Sequence, residues 1–315
     1  MLEGEQNNLI MKKYFIFALV ALGMFACTGQ NNPENPSQPT GKTIEGELTG
    51  AISVSPSKKV HFSQGNLQYQ ASTDTWRFAK YQFEFAGAAN EQASATYSGW
   101  IDLYWWGTSG YNNRVPYMND EQNSIDTLEL DIANTNYDWG VYNKISNGGN
   151  EAGLWRTLTG DEWKYIFRGR KDAEYLFALG TVNDVNGLII LPDNWKTPAG
   201  LTFNASTTKG LIWYEDPELM GDNGVYVNQN ENANNYNDNI YTTAEWNKME
   251  TAGAVFLPTT ESNDGMNEAC YWSSTFALTY GGSRGAMVYF VPIGIYPIVD
   301  AIAGKGAVRL VRDAK

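Results

Sequence analysis

The chain has 315 residues, of which 11 are Trp and 19 Tyr but only 18% are charged, and its net charge is −13. An acidic chain repels phosphate backbones, which argues against nucleic acid as a partner. One histidine, His61, and two cysteines, Cys27 and Cys270, are too few for a His/Cys zinc site and offer little for imidazole-assisted nucleophilic catalysis.

Near the N-terminus, Lys12 and Lys13 precede an apolar run from Tyr14 to Ala26. As a helix this run would span ~20 Å, less than the ~30 Å of a bilayer core. Positive charge, a short apolar stretch and a small residue before the cut are the order of a signal peptide, expected here over residues 1–26 with Met11 as the start. Cys27 follows Ala26 directly and is the expected site of lipidation. The alternative is an ordinary secretory signal with a chance cysteine. Residues 27–42 read as the lipidated cysteine and a flexible Asn/Pro/Gln-rich tether, and residues 43–315 as a single domain. This is the pattern of an outer-membrane lipoprotein that touches the membrane through its lipid only. A lone acid in the tether, Glu34, leaves periplasmic and surface facing both open. Cleavage before Cys27 removes two lysines and two acids, so the charge stays at −13. Cys270 would then have no partner for a disulfide, and burial must hold the domain together.

From Lys58 the chain alternates. Val60 and Phe62, Trp76 and Phe78, then Phe83 and Phe85 recur at period two, which predicts strands. Residues 98–117 lack a clean period and hold Trp100, Tyr104, Trp105, Trp106, Tyr111 and Tyr117 in a Gly/Asn/Ser setting. The segment reads as an aromatic loop. If it is extended, Trp105 and Trp106 point to opposite faces.

The stretch "GLWRTLTGDEW" (153–163) puts Asp161 and Glu162 beside Trp163. Thr159 and Glu162 have capping-box spacing, and Trp163, Ile166 and Phe167 follow as one apolar helical face. The acid pair is explained by the cap and the helix dipole, with no catalytic role required. Thr242, Glu245 and Trp246 repeat the pattern and predict a second short helix to about Ala252. Each helix leads to a similar strand, "GLIILP" (187–192) and "GAVFLP" (253–258), and Asn186-Gly187 has the form of a tight hairpin turn. Residues 214–240, with eight asparagines between 223 and 239, read as the longest loop. The remaining runs, "YWSST", "GAMVYFVP", "YPIVDAIAG" and "GAVRLVRD", read as closing strands of one sheet. The expected class is α+β, with mostly antiparallel strands, two short helices and long loops.

The sequence of pieces, "GLWRTLTGDEW", then "YWSST", then "GAVRLVRD", resembles the Fibrobacter succinogenes major paralogous domain and related Bacteroidetes lipoproteins. Trp155–Trp163 is similar to the W-R-[LT]-[PL]-T-x-x-E-W helix of that group, and Gly306–Val311 to its terminal G-[FV]-R-L-V strand. The resemblance spans residues 45–315 and implies a C-type-lectin-like fold, the fold shared with formylglycine-generating enzymes. It says little about function. Cysteine-dependent relatives use a cysteine pair on a late strand, whereas here Thr275 stands at the comparable offset from Cys270. Relatives that hold iron on several histidines have no counterpart in His61 alone. The Glu-Pro-Asn or Gln-Pro-Asp and Trp-Asn-Asp elements of calcium-dependent lectins are absent.

No cofactor is implied. Calcium is the one metal left open, on the oxygen-rich "VNQNENANNYNDN" loop, although its Asp-x-Asp-x-Asp-Gly spacing is missing. Asp126-Thr127-Leu128 is similar to the short Asp-Thr/Ser-aliphatic glycosylation site of exported Bacteroidetes proteins. The strongest binding feature is the 98–117 loop, because sugars stack on Trp and Tyr and exposed rings anchor protein interfaces. The opposing reading places those rings in the core. The sequence therefore predicts a non-enzymatic, lipid-anchored envelope protein that binds glycan or an envelope or host protein. An assembly subunit of a surface or pilus-like adhesin is the alternative, and a divergent enzyme on the formylglycine-enzyme-like fold the second.

Overall fold

The structure is a computed structural model that describes residues 44–84, 86–87, 93–117, 130–215, 224–230, 232–260, 268–279, 282–300 and 305–315. The signal segment, Cys27, the tether, Phe85 and Asp126-Thr127-Leu128 lie outside them. All described residues belong to one compact unit, Lys42–Lys315.

The chain opens with β1 (Glu47–Ser53) and β2 (Lys59–Ser63), which pair antiparallel. A hairpin follows, β3 (Leu67–Gln70) and β4 (Thr75–Phe78), joined by a short 3-10 turn and Asp74. Asp74 sits in the left-handed region, φ 49°, which a short polar side chain tolerates. The strand expected at Phe83 does not form. Gln82 is buried there, its amide donating to the Ala254 carbonyl and the Glu250 carboxylate and accepting from the Phe256 N–H. That pins residues 80–84 as a turn, with Phe83 packed on the core beneath it.

Within the aromatic segment, β5 (Leu103–Tyr104) is a two-residue strand. Next come α1 (Trp139–Tyr142), one turn capped by Asp138 and unforeseen in the sequence, and α2 (Gly160–Lys164). A π-turn over Tyr165–Gly169 extends α2 and keeps Trp163, Ile166 and Phe167 on one buried face.

The hairpin β6 (Phe177–Val182) and β7 (Val185–Ile190) turns at Asn183-Asp184, not at Asn186-Gly187. Both turn residues have positive φ, 49° and 63°, as a two-residue primed turn requires. Asn186 and Gly187 instead lie within β7, opposite Thr181 and Gly180. Gly187 is needed for close approach, since a Cβ there would collide with the Phe256 ring.

The Asn-rich stretch is not one loop. β8 (Leu211–Glu215) leads into it and β9 (Gly224–Asn228) crosses it. Then come β10 (Ile240–Tyr241), α3 (Thr243–Thr251) and β11 (Val255–Pro258). α3 ends in a Schellman arrangement, with Ala254 N–H on the Met249 carbonyl, Gly253 N–H on Glu250 and Gly253 at φ 98°.

Five strands finish the chain: β12 (Ala269–Thr279), β13 (Gly282–Val291), β14 (Gly294–Asp300), β15 (Gly306–Ala307) and β16 (Val311–Asp313). They do not close a single sheet. β15 joins the seven-stranded sheet of order β5-β15-β12-β13-β14-β9-β8, whereas β16 pairs with β2 in the order β1-β2-β16. The crossing point is Val308–Leu310. Its carbonyls at 308 and 310 accept from Leu67 and Ser63, and the buried Arg309 donates to Gln82 Oε1 at 2.6 Å. A four-stranded sheet, β10-β6-β7-β11, sets the two similar strands β7 and β11 side by side and antiparallel. Two contacts, β10 with β6 and β12 with β15, are parallel and the other strand pairs antiparallel. The class is α+β with short helices.

A tryptophan-rich core backs the β3–β4 hairpin. Trp76, Trp106, Trp139, Trp155 and Trp272 pack there with Tyr69 and Tyr104. β12 bulges between Trp272 and Phe276, and the freed groups take up loops on both sides. Ser273 O accepts from Trp106 Nε1, Ser274 O from Ile132 N, and Ser274 N donates to Leu158 O. These hooks bring the 105–117 and 130–143 segments against the hairpin, where a cleft opens.

Candidate functional site: an aromatic cleft beside a hairpin

The six rings of residues 98–117 do not form a common platform. Tyr104 is fully buried, its hydroxyl 2.7 Å from the Ile101 carbonyl and 3.1 Å from that of Leu67. Trp106 is buried too, donating to Ser273 O at 2.9 Å. Both are core, Tyr104 with its hydroxyl on those two carbonyls and Trp106 with its indole N–H on a carbonyl that the bulge in β12 presents. Trp100 is half-exposed, but the Arg77 guanidinium covers one ring face at 3.7 Å. Trp105 is half-exposed and stands away from the cleft lining, with its Nε1 buried. Only Tyr117 lines the cleft, and Tyr111 lies at its rim against Tyr142, centroids 5.4 Å apart.

The cleft encloses about 300 Å³ between the β3–β4 hairpin, residues 109–117 and the end of α1. That is the lower end of the range for small-molecule sites. Register builds its first wall. Tyr69 and Trp76 are directly opposed cross-strand partners, and their side chains share one face of the hairpin, ring centroids 4.6 Å apart. Gln68 and Arg77 occupy the other face, bonded to each other at 2.9 Å. The turn places Asp74 at the mouth, where Oδ1 accepts the Tyr69 hydroxyl at 3.0 Å. Burial and the Asp74 carboxylate both push the Tyr69 phenol well above its ordinary range.

The opposite wall comes from α1. Asp138 accepts from Gly140 N at 3.0 Å and from the N–H and hydroxyl of Thr157, which fixes the start of the helix. One turn later Tyr142 and Asn143 reach the cleft. Asn143 Nδ2 donates to Ser109 O at 2.9 Å and to Trp139 O at 3.1 Å. Both of its N–H groups are thereby used, and Oδ1 remains as an acceptor. Tyr142 is 42% exposed. With Tyr111 and Tyr137 it forms a chain of edge-to-face pairs at 5.4 and 5.1 Å that carries the aromatic surface past the mouth. The sequence marks Trp76 only as a strand residue and gives Tyr69, Asp74, Tyr142 and Asn143 no site signal. The available signal was Leu67 with Tyr69 and Trp76 with Phe78, each two apart on adjacent short strands.

Other candidates fall elsewhere. Cys270 is half-buried, its thiol pushed up to about 12 by desolvation and by Glu268, and it lies in β12, on a different sheet from His61 in β2. His61 Nδ1 is 3.1 Å from the Leu48 carbonyl and Nε2 is 3.8 Å from Glu47. Thr275 Oγ1 accepts from Gly160 N at 3.0 Å at the start of α2. The expected helix caps are in place. Thr159 with Glu162, and Thr242 with Glu245, each form a reciprocal capping box. Asparagines of the 228–239 stretch spend their amides on protein: Asn239 on Leu179 O and Asn204 O, Asn235 on Pro292 O, Asn228 on Asn235. Among the described residues no group of three or more His, Cys, Asp or Glu is placed to hold a metal. No helix among them is long and apolar enough to cross a membrane.

What the structure defines is an α+β domain with an aromatic cleft beside its β3–β4 hairpin. No family model, curated protein or solved structure matches the chain.

Proposed function

We propose that this chain is a non-enzymatic, lipid-anchored protein of the bacterial envelope that binds glycan through the cleft between the β3–β4 hairpin and α1. The observation that carries the reading is the convergence of Tyr69, Trp76, Tyr117 and Tyr142 with Asp74 and Asn143 around about 300 Å³. Rings supply apolar faces for the axial C–H groups of a sugar, and the carboxylate and amide oxygens accept from its hydroxyls. Hydrolysis by paired carboxylates needs two facing acids. Among the described residues Asp74 is the one acid in the cleft lining, which supports binding over cleavage.

Anchoring belongs to the same proposal. Cys27 carries the lipid, the tether spaces the domain from an outer membrane, and the domain is of the C-type-lectin-like kind that its motifs resemble. The deciding test is a glycan array probed with the full chain in mild detergent, beside Tyr142→Ala. Binding that Tyr142→Ala abolishes is expected. A folded wild-type chain that binds no glycan overturns the reading. Fatty-acid labelling that persists in Cys27→Ser would overturn the anchor.

One observation favours assembly instead. β8 stands at the end of the seven-stranded sheet with Ile212 and Tyr214 exposed. An outer strand of this kind is a template for strand addition. Cross-linking through a cysteine introduced at Ile212 in the native envelope distinguishes the two, since only the assembly reading expects a specific adduct.

A further inference from the structure

We infer that the cleft reads charge: it takes neutral or amino-bearing sugar units and excludes units that carry a carboxylate or sulfate, with Asp74 as the specificity-determining residue. The inference rests on the glycan reading above and follows from counting donors and acceptors around the cleft.

The donors whose partners are defined are already committed. Tyr69 gives its hydroxyl proton to Asp74. Ser109 gives its own to Asn136 O at 2.6 Å, and the Ser109 oxygen accepts from Tyr111 N. Gly110 N–H is bonded to Arg114 O at 2.9 Å. Both protons of the Asn143 amide are held by Ser109 O and Trp139 O. What the cleft offers a ligand is the Asp74 carboxylate and Asn143 Oδ1 as acceptors, the rotatable hydroxyls of Tyr117 and Tyr142, and one neutral donor, the Trp76 indole N–H. A hydroxyl or an ammonium group can donate to those oxygens. An anionic group cannot, and among the described residues no Lys, Arg or His lines the cleft to compensate.

Charge points the same way. Asp74 forms no ion pair among the described residues, and its left-handed backbone holds the carboxylate in the turn at the mouth. The chain as a whole carries −13, which adds long-range repulsion toward acidic polymers.

The test is a set of binding isotherms on the full chain with three oligosaccharides of equal length, one neutral, one built on amino sugars and one on uronic acids. At low salt the wild type is expected to hold the neutral or amino oligomer at least about fivefold more tightly than the acidic one, the effect of one unit charge at contact distance in water. The amino-over-neutral preference should shrink as salt is raised. In Asp74→Asn, whose side chain suits a left-handed backbone, the acidic-to-neutral affinity ratio should rise toward one, whatever loss is common to both ligands. Equal binding of acidic and neutral oligomers by the wild type, or an unchanged ratio in Asp74→Asn, overturns the inference while leaving the glycan reading intact. Failure of all three to bind a folded chain overturns both.

Discussion

Tyr69 and Trp76 face one another across the β3–β4 pair with ring centroids 4.6 Å apart, and Tyr69 places its hydroxyl on Asp74 in the turn that joins the two strands. One hairpin thus fixes two rings and a carboxylate of the cleft through backbone register alone. The opposite wall is held less tightly, because Tyr142 is 42% exposed at the end of a single helical turn.

That asymmetry separates stability from binding. Trp76 is buried in the tryptophan-rich core, so Trp76→Ala should cost about 3–5 kcal/mol and lower the denaturation midpoint clearly. Tyr142→Ala, at an exposed site, should stay within about 0.5 kcal/mol of wild type. Urea titration of both variants checks this. Equal losses in the two would mean that Tyr142 is structural.

Trp105 and Trp106 are neighbours with opposite fates. The Trp106 ring lies against Gly285 in β13, where any Cβ would collide with it, and its N–H is bonded to Ser273 O. Trp106→Ala and Gly285→Ala should therefore both destabilise, the first by about 3–5 kcal/mol. Trp105→Ala should cost clearly less, since the ring is only partly buried. Thermal melts of the three variants order them directly.

The two capping boxes differ in their surroundings. Glu162 also grips Arg156 in a two-pronged pair at 2.6 and 2.8 Å and lies 3.5 Å from Lys58. Arg156 in turn holds Asp313 of β16 at 2.8 Å, so the cap joins α2 to the terminal strand. Glu245 serves its own helix. Thr159→Ala and Thr242→Ala should each cost about 1 kcal/mol. Glu162→Gln should cost more than Glu245→Gln in the same denaturation series.

Two buried carboxyls set a pH dependence. Desolvation raises Asp102 to about 7 and Asp138 to about 6, against backbone and side-chain hydrogen bonds that pull the other way. In the native state each binds its proton more tightly than in the unfolded chain, whose Asp titrates near 3.9. Stability therefore falls as pH rises from about 4 to about 7 on their account. Asp193, held by Ser53 and Lys59, and Asp313, held by Arg156, are lowered and act in the opposite sense, losing their contribution below about 4. Asp102→Asn should gain stability over wild type at pH 8, with the gain shrinking toward pH 5. A difference that does not change with pH would show that Asp102 does not titrate in this window.

Much of the local structure was legible because it depends on near neighbours. Thr159-x-x-Glu162 and Thr242-x-x-Glu245 specify their caps within four residues, and Trp163, Ile166 and Phe167 must share a helical face. Val60 with Phe62 and Trp76 with Phe78 alternate because a strand alternates. Turn chemistry misled where two motifs competed. Asn183-Asp184 and Asn186-Gly187 both suit a tight turn, and only the packing of Gly187 under Phe256 decides between them.

By itself, the sequence determined the α+β class, the two capped helices and the strand faces, since propensity, periodicity and capping act over a few residues. Only tertiary structure decided which aromatic rings are core and which meet a ligand. Trp106 is buried because a bulge in β12, 167 residues away, presents a carbonyl to its N–H. The cleft exists because β3, β4, the 109–117 loop and α1 converge from separate parts of the chain. Burial is a property of what packs against a ring, and no short stretch of sequence records that.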